Sequence, residues 1–443
     1  MSRGVASAVW CLVILALFRL DRDGKSRLSP ALWIPVAWVS IGASRTVSQW
    51  LQVGPVMESP DQYLVGSPLD QFVLNGLLAV ALMVLFARGR RAETFLLANG
   101  PLVVFFLYCA YSVLWSDYPF VAFKRCIKAY GNIVMVLVVM TDPDPYGAVK
   151  QLLRRTGFLL IPLSVLFAKY YPDLGRGFSP WGGESYYTGV ATDKNGLGCI
   201  SLVFGLGSLW RLLEAFLDKG RPRKVGPLVA HGVVLTMALY LFHLASSATS
   251  LACFLIGGAL IGLMSFPGFA RRPAVAHFLV AGTVSLSLLA LFFSTDLVEA
   301  MGRDTTLTGR TGLWRELLNT NANPWFGTGF ESFWLGERAK LLWENHWWHP
   351  NQAHNGYLEV FLNLGWLGVA LLSFVIVRGY WVVVDTLHRH PRLGRLMLAF
   401  FVVALLYSLT EAAFKVMHPM WIVFLLAVTA VPEPRGRTGE ALR

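Results

Sequence analysis

Residues 226–266 read GPLVAHGVVLTMALYLFHLASSATSLACFLIGGALIGLMSF. Two apolar runs, about 226–243 and 246–266, meet at a hydroxyl-rich step, Ser246-Ser247-Ala248-Thr249-Ser250. Each is close to the roughly 20 apolar residues that cross a bilayer. No Lys, Arg, Asp or Glu interrupts either run. The stretch predicts one membrane-crossing helix, a short turn and a second crossing helix.

The same pattern extends in both directions. Spans are expected at about 4–20, 30–47, 69–87, 95–115, 121–140, 152–170 and 190–210 before this pair. After it they are expected at about 274–294, 356–377, 396–411 and 416–431. The second and the last are short, so the expected fold is an all-α polytopic membrane protein of about 12–13 transmembrane helices. Composition agrees. The 443 residues are 55% hydrophobic and 14% charged, with a mean hydropathy of +0.54. Soluble domains carry about 25% charged residues. A soluble enzyme, a disordered chain and a disulfide-built secreted domain are excluded. The five cysteines, Cys11, Cys109, Cys126, Cys199 and Cys253, form no CxxC and no cluster, and read as small residues of apolar helices. Arg19, Arg22, Lys25 and Arg27 follow the first span without a small-residue cleavage site, so it is expected to be retained.

The net charge of +12 is unevenly placed. Most of the 38 Lys and Arg fall in one set of alternate loops: Arg19–Arg27, Arg88–Arg91, Lys150–Arg155, Arg211–Lys224, Arg271–Arg272, Arg378–Arg395 and Arg435–Arg443. That side is expected to be cytoplasmic. The order of domains follows: an N-terminal bundle at 1–294, an outer loop at 295–355, C-terminal spans at 356–431 and a cytoplasmic tail at 432–443. The outer loop is rich in aromatics, among them Trp314, Trp325, Trp334, Trp343, Trp347 and Trp348. Such a load needs a surface, a bilayer interface or a ligand to bury against. An amphipathic helix is expected at about 309–320, capped by Thr308, with Leu313, Leu317 and Leu318 inward. Gly327 and Gly329 mark a turn.

Ionisable groups at the rims of spans are costly and therefore candidates for function. Lys124, Arg125 and Lys128 follow the outer loop Ser116–Pro119 and break the charge rule. They suit lipid phosphates by snorkelling or a bound anion. Asp193-Lys194-Asn195 opens another span at the outer side, as an internal pair or a ligand site. Ser246–Ser250 suits helix capping or donation to a sugar or phosphate. Arg310 begins the expected loop helix, where a guanidinium beside free N–H groups suits a phosphate. His354 stands where the loop re-enters the membrane, with Asn355 and Glu359 one turn apart after it. A histidine there suits a general base. Glu344, His346, His349 and His354 match no metal-binding spacing. Glu411 and Lys415, four apart, are expected to pair. Outer cations for phosphate, aromatics for sugars and a histidine base describe glycan transfer from a lipid-pyrophosphate donor.

Six stretches occur in order: Ser112-Val113-Leu114-Trp115-Ser116-Asp117; Asp193-Lys194-Asn195-Gly196-Leu197-Gly198; Ser246-Ser247-Ala248-Thr249-Ser250; Leu307-Thr308-Gly309-Arg310-Thr311-Gly312-Leu313-Trp314; Asn323-Pro324-Trp325-Phe326-Gly327-Thr328-Gly329-Phe330; and His354-Asn355-Gly356-Tyr357-Leu358-Glu359. Together, over about residues 95–430, they resemble the O-antigen ligase superfamily of O-antigen ligases, Wzy-type polymerases and protein O-oligosaccharyltransferases. The likeness is greatest to the exopolysaccharide-production polymerases. It implies a metal-independent GT-C type glycosyltransferase of the bacterial inner membrane, working on the periplasmic side without a cofactor. The implied partners are an undecaprenyl-pyrophosphate-linked oligosaccharide, a glycan acceptor and the lipid bilayer, with chain-length regulator and flippase proteins and no nucleic acid. The family's essential loop arginine and histidine fall on Arg310 and His354. Substrate contacts are expected from Lys194, Asn195, Arg125, Lys128, Asn355, Glu359 and Trp314. Ligases place a further arginine on an earlier span, but the matching 246–250 stretch has none. That departure leans toward polymerisation and leaves Lys194, or Arg125 with Lys128, to supply the charge. A ligase acting on another acceptor remains the alternative. A transporter or flippase is the rival class; internal repeats and broken mid-membrane helices, frequent in transporters, are not expected from the sequence, and the charge lies at the outer rim.

Overall fold

The computed structural model describes the chain except residues 23–27, 54–65, 179–182, 218–224, 271–272, 293–309, 321 and 432–443. It is a helical membrane protein with, among the described residues, one short antiparallel hairpin, β1 (Arg176–Phe178) and β2 (Ser185–Tyr187), Arg176 lying opposite Tyr187. Each expected span contains a helix among the described residues. The longer helices before the outer segment are α1 (Arg3–Leu20), α2 (Trp33–Ala43), α3 (Pro68–Arg88), α4 (Gly100–Tyr111), α5 (Pro119–Met140), α6 (Pro145–Tyr170), α7 (Lys194–Leu217), α8 (Val225–Ala245), α9 (Ala248–Leu263) and α10 (Pro273–Phe292), with a shorter helix at Arg90–Ala98 leading into α4. The outer segment holds α11 (Arg310–Leu318) and α12 (Gly336–Asn345). Then follow α13 (Gly356–Arg389), α14 (Pro391–Thr410) and α15 (Pro419–Val428).

Among the described residues seven helices are long and apolar enough to cross a membrane: α1, α3, α6, α7, α8, α13 and α14. A bent pair around α4 makes an eighth, and α2, α9 and α15 are shorter apolar helices. Burial separates centre from edge. The apolar window of α14 is 83% buried and that of α7 78%, against 11% for α1 and 22% for α3. The first two form the centre; the others turn large side chains such as Leu12 and Phe86 outward, toward lipid.

Charged contacts segregate by face. Loops from the basic set meet one another: Asp21 pairs with Arg154 (3.8 Å), Arg211 (3.5 Å) and His231 (3.2 Å), and Arg88 with Asp142 (3.4 Å). Burial alone would raise the Asp21 carboxyl; hydrogen bonding to His231 and the nearby cations hold it below its ordinary value. At the opposite face Arg3 pairs with Asp173, Arg338 with Asp117, and Arg45 donates to the carbonyls of Leu174 and Ala191. Alternate loops thus share a face, as the charge pattern predicts.

Two expected spans are corrected. The run 95–115 is not one helix. Arg91–Ala98 lies at 86° to Gly100–Trp115. Asn99-Gly100-Pro101 explains the bend: Pro101 has no N–H to continue the ladder. Asn99 instead donates to Phe95 O (2.7 Å) and Ala430 O (3.1 Å) and accepts from Ala430 N (2.7 Å).

The second correction concerns 356–377. An unbroken α13 of 34 residues would run ~51 Å, well beyond the ~30 Å hydrocarbon core. It breaks at Gly365 (φ 65°, ψ −167°), so residues 356–364 form a separate arm and the crossing helix starts at Trp366. The amides of Trp366 and Leu367 donate to Pro324 O (2.8 Å) and Trp325 O (3.2 Å). A Cβ on Gly365 would lie 2.3 Å from Trp325 C, and one on Gly327 (φ 68°) 2.4 Å from Asn363 C. Glycine at both positions lets the two backbones touch.

The outer segment has its own small core of Leu313, Leu317, Phe333, Leu342, Ala353 and Leu362. Leu313 and Leu317 point inward as expected, but Leu318 is exposed, being on the other side of the helix. Thr308, the expected cap, lies outside the described residues. The turn at Gly327 and Gly329 locks onto the end of α4. Trp115 Nε1 donates to Phe326 O (3.2 Å), Phe330 N donates to Ser112 Oγ (3.1 Å), and the Ser116 and Ser332 hydroxyls share a bond of 2.6 Å.

Candidate active site

Three helix ends converge at the rim opposite the basic face. Asn355 caps the arm of α13, its Oδ1 accepting from Tyr357 N and Leu358 N (3.0 Å each). Its amide donates to Leu409 O (3.1 Å), which ties the arm to the end of α14. The residue before it, His354, sits in the left-handed region (φ 51°). A non-glycine residue held there is uncommon and often functional. His354 Nδ1 lies 3.3 Å from Glu411 Oε2. The other oxygen of Glu411 accepts from Asn195 Nδ2 (3.0 Å), at the start of α7. Glu411 is buried, whereas His354 is partly exposed. A carboxylate fixed on one side by an amide thus faces one nitrogen of a histidine.

The sequence context of Glu411 does not mark it as a site residue. The spacing predicts a pair with Lys415; α14 ends at Thr410 and Glu411 is its extended C-cap (φ −141°, ψ 150°). The two are therefore not on one helical face. His418, further along this connection, accepts from Met420 N (3.2 Å) and caps α15. Burial pushes its pKa down to about 4; the field of Glu411 raises it and that of Lys415 lowers it.

The remaining expected site residues divide. Lys194 is exposed beside Asn195, while Asp193 caps α7 by accepting from Gly196 N (2.9 Å), so its carboxylate is engaged by the helix. Trp314 donates its indole N–H to Ala353 O (2.7 Å), which brings α11 against the His354 loop. Arg310 is the first residue of α11; its side chain lies outside the described residues. Glu359 is buried, and its carboxylate accepts from Ala353 N (2.5 Å) and from Trp334 Nε1 (3.0 and 3.2 Å). It braces the residue before His354.

Arg125 and Lys128 belong to a second group behind this brace. Arg125 donates to Glu331 O, and Lys128, one turn further along α5, is half-buried. Glu331, Glu359, Asn363 and Lys415 line a chamber of about 40 Å3, room for about one water. Lys124 lies over the Phe120 ring at 4.8 Å. The hydroxyls of 246–250 serve packing: Ser247 bonds Ser250 and Thr249 bonds Thr410, both at 3.0 Å. The loop histidines are dispersed, His346 on Glu316 (2.6 Å) and His349 stacked on Trp343 (4.5 Å). Among the described residues no three His, Cys, Asp or Glu side chains gather as a metal site.

An O-antigen ligase family profile matches residues 232–373, a stretch holding Arg310, Trp314, His354, Asn355 and Glu359. Over this stretch the chain is similar to the O-antigen ligase family. It is also 26% identical over 357 residues to the exopolysaccharide production protein ExoQ of Rhizobium meliloti (strain 1021), covering 76% of this chain and 78% of that protein. The superfamily match ends before Glu411 and begins after Asn195. The histidine's carboxylate partner and that partner's amide thus come from outside the matched stretch.

Proposed function

We propose that this protein transfers a glycan from an undecaprenyl-pyrophosphate-linked donor to an acceptor hydroxyl, on the periplasmic face of the bacterial inner membrane, and so polymerises exopolysaccharide or O-antigen repeat units. The O-antigen ligase family match over residues 232–373 and the likeness to an exopolysaccharide production protein support glycan transfer. The observation that carries the reading is the His354–Glu411–Asn195 cluster at the rim opposite the basic face.

The roles we assign to the residues are these. With its Nδ1–H directed to Glu411, His354 has Nε2 free to act as base. Nε2 takes the acceptor hydroxyl's proton as the oxygen attacks the anomeric carbon. The carbon–oxygen bond to the pyrophosphate breaks, and the lipid pyrophosphate leaves with the electron pair. Arg310 and Lys194 stabilise the negative charge that develops there. A single displacement inverts the anomeric carbon. Asn195 and Asn355 hold the cluster in place, Glu359 and Trp314 hold the loop, and Arg125 and Lys128 attract the anionic donor from behind. The absence of an arginine from 246–250 favours polymerisation over ligation to a separate acceptor.

The test is reconstitution. Purified protein in proteoliposomes receives lipid-linked repeat units, with and without a separate lipid acceptor. Polymerisation predicts a ladder of lipid-linked products from the donor alone. Products only when the separate acceptor is present would instead make it a ligase.

A further inference from the structure

A second cleft opens at the outer end of α4, where Tyr111, Trp115, Asp117, Asn323, Phe326 and Arg338 surround about 520 Å3. That volume is within the roughly 300–1,000 Å3 of small-ligand sites. Its walls are of two kinds. Trp115 packs edge-on between Tyr111 (5.4 Å, 76°) and Phe326 (5.8 Å, 69°). Tyr111 and Phe326 nonetheless remain 63% and 46% exposed, so aromatic surface is open to a ligand. The polar side is made of planar groups. Asp117 Oδ2 and Arg338 Nη2 are paired at 3.0 Å, with the Asp117 side chain half exposed. Asn323 Oδ1 is occupied by the amides of Trp325 and Phe326, which leaves its NH2 group as a donor.

The chemistry selects the ligand class. The one acid and one base of the cleft cancel, so there is no surplus charge to draw a phosphate. The open aromatic surface suits the C–H faces of sugars, and carboxylate, guanidinium and amide suit their hydroxyls. Position agrees as well. Thr328 of the cleft donates both its N–H (3.1 Å) and its hydroxyl (3.2 Å) to Leu362 O, on the arm whose start carries His354 and Asn355. At about 1.5 Å per residue, Leu362 stands on the order of 10 Å along that arm from Gly356.

We propose that this cleft is a second glycan subsite, which holds an uncharged part of the sugar chain away from the reacting carbon. The proposal rests on the glycan-transfer reading above. Its consequence is processivity: a chain gripped here stays with the enzyme between additions.

The experiment uses the full chain in proteoliposomes with lipid-linked repeat units, and reads first-bond formation and product length separately. Tyr111→Ala removes exposed aromatic surface from a residue whose hydroxyl makes no hydrogen bond among the described residues. Arg338→Gln removes the cation, and thermal melting confirms that both variants fold. Product length is expected to fall several-fold in each, by a larger factor than the first-bond rate. Products of wild-type length from folded variants overturn the subsite. Unchanged length with loss of co-purifying phospholipid overturns it also, and assigns the cleft to a lipid headgroup. Wild-type protein that forms no glycosidic bond fails at the earlier reading and takes the subsite with it.

Discussion

His354 Nδ1 and Glu411 Oε2 stand 3.3 Å apart although 57 residues separate them, and Asn195 holds the other oxygen of the carboxylate at 3.0 Å. A carboxylate in this position fixes the tautomer and the ring angle of the imidazole. Glu411→Gln is therefore expected to lower kcat about 10–100-fold, short of the full ~10²–10⁴ of a general base, with little change in KM for the donor. Steady-state kinetics with purified donor check this. A rise in KM at unchanged kcat would make Glu411 a substrate contact instead.

Glu359 is expected to act through the fold. Its carboxylate satisfies Ala353 N–H and the Trp334 indole in a buried setting. Glu359→Ala orphans both donors, at about 1–3 kcal/mol each. Its melting temperature should fall by several degrees, and transfer with it. Glu359→Gln retains one acceptor oxygen and should recover most of the stability. A Glu359→Ala protein with wild-type melting and a weakened KM would return this residue to the substrate.

Hydropathy reads the helices well because most spans hold a long uncharged apolar run, even where, as in α5 and α6, charges enter the first turns. It does not reveal the breaks. Asn363-Leu364-Gly365-Trp366 lies inside one apolar run, and only the positive φ of Gly365 and its contact with Trp325 show the arm. His354 and Asn355 were legible from their motif. Glu411 was not, because Glu411-Ala412-Ala413-Phe414-Lys415 has the composition of a helix, and its partner lies 216 residues away at Asn195. Glu359 and Trp314 carry the residue types of a ligand site yet spend their polar atoms on Ala353. Sequence spacing cannot separate a residue that touches a substrate from one that holds the loop touching it.

Arg310 should not tolerate lysine. A point charge does not reproduce the planar fork that grips two phosphate oxygens. Arg310→Lys is expected to lose at least about 1.4 kcal/mol of transition-state stabilisation, a tenfold drop in kcat/KM. Polymer yield at equal expression reads it. Near wild-type yield would show that charge alone suffices.

Acid should loosen the connection between α14 and α15. The folded pKa of His418, about 4, lies below the ordinary value of 6.5. The unfolded chain therefore binds the proton first, and stability present above pH 6.5 is lost as pH falls toward 4. Melting of the purified protein between pH 7 and pH 4.5 should show a drop that is smaller in His418→Asn, which keeps a cap acceptor but does not titrate. Equal acid sensitivity in both would place the titrating group elsewhere.

The most direct test of the account is His354→Gln. Glutamine can hydrogen-bond to Glu411 but cannot take a proton near neutral pH. The measurement is product formation from purified lipid-linked repeat units, with donor binding measured separately on the same preparation. Loss of about 10²–10⁴-fold in transfer with donor still bound is the expected result. Substantial activity in His354→Gln would contradict the base assignment and leave His354 as a residue that only shapes its loop.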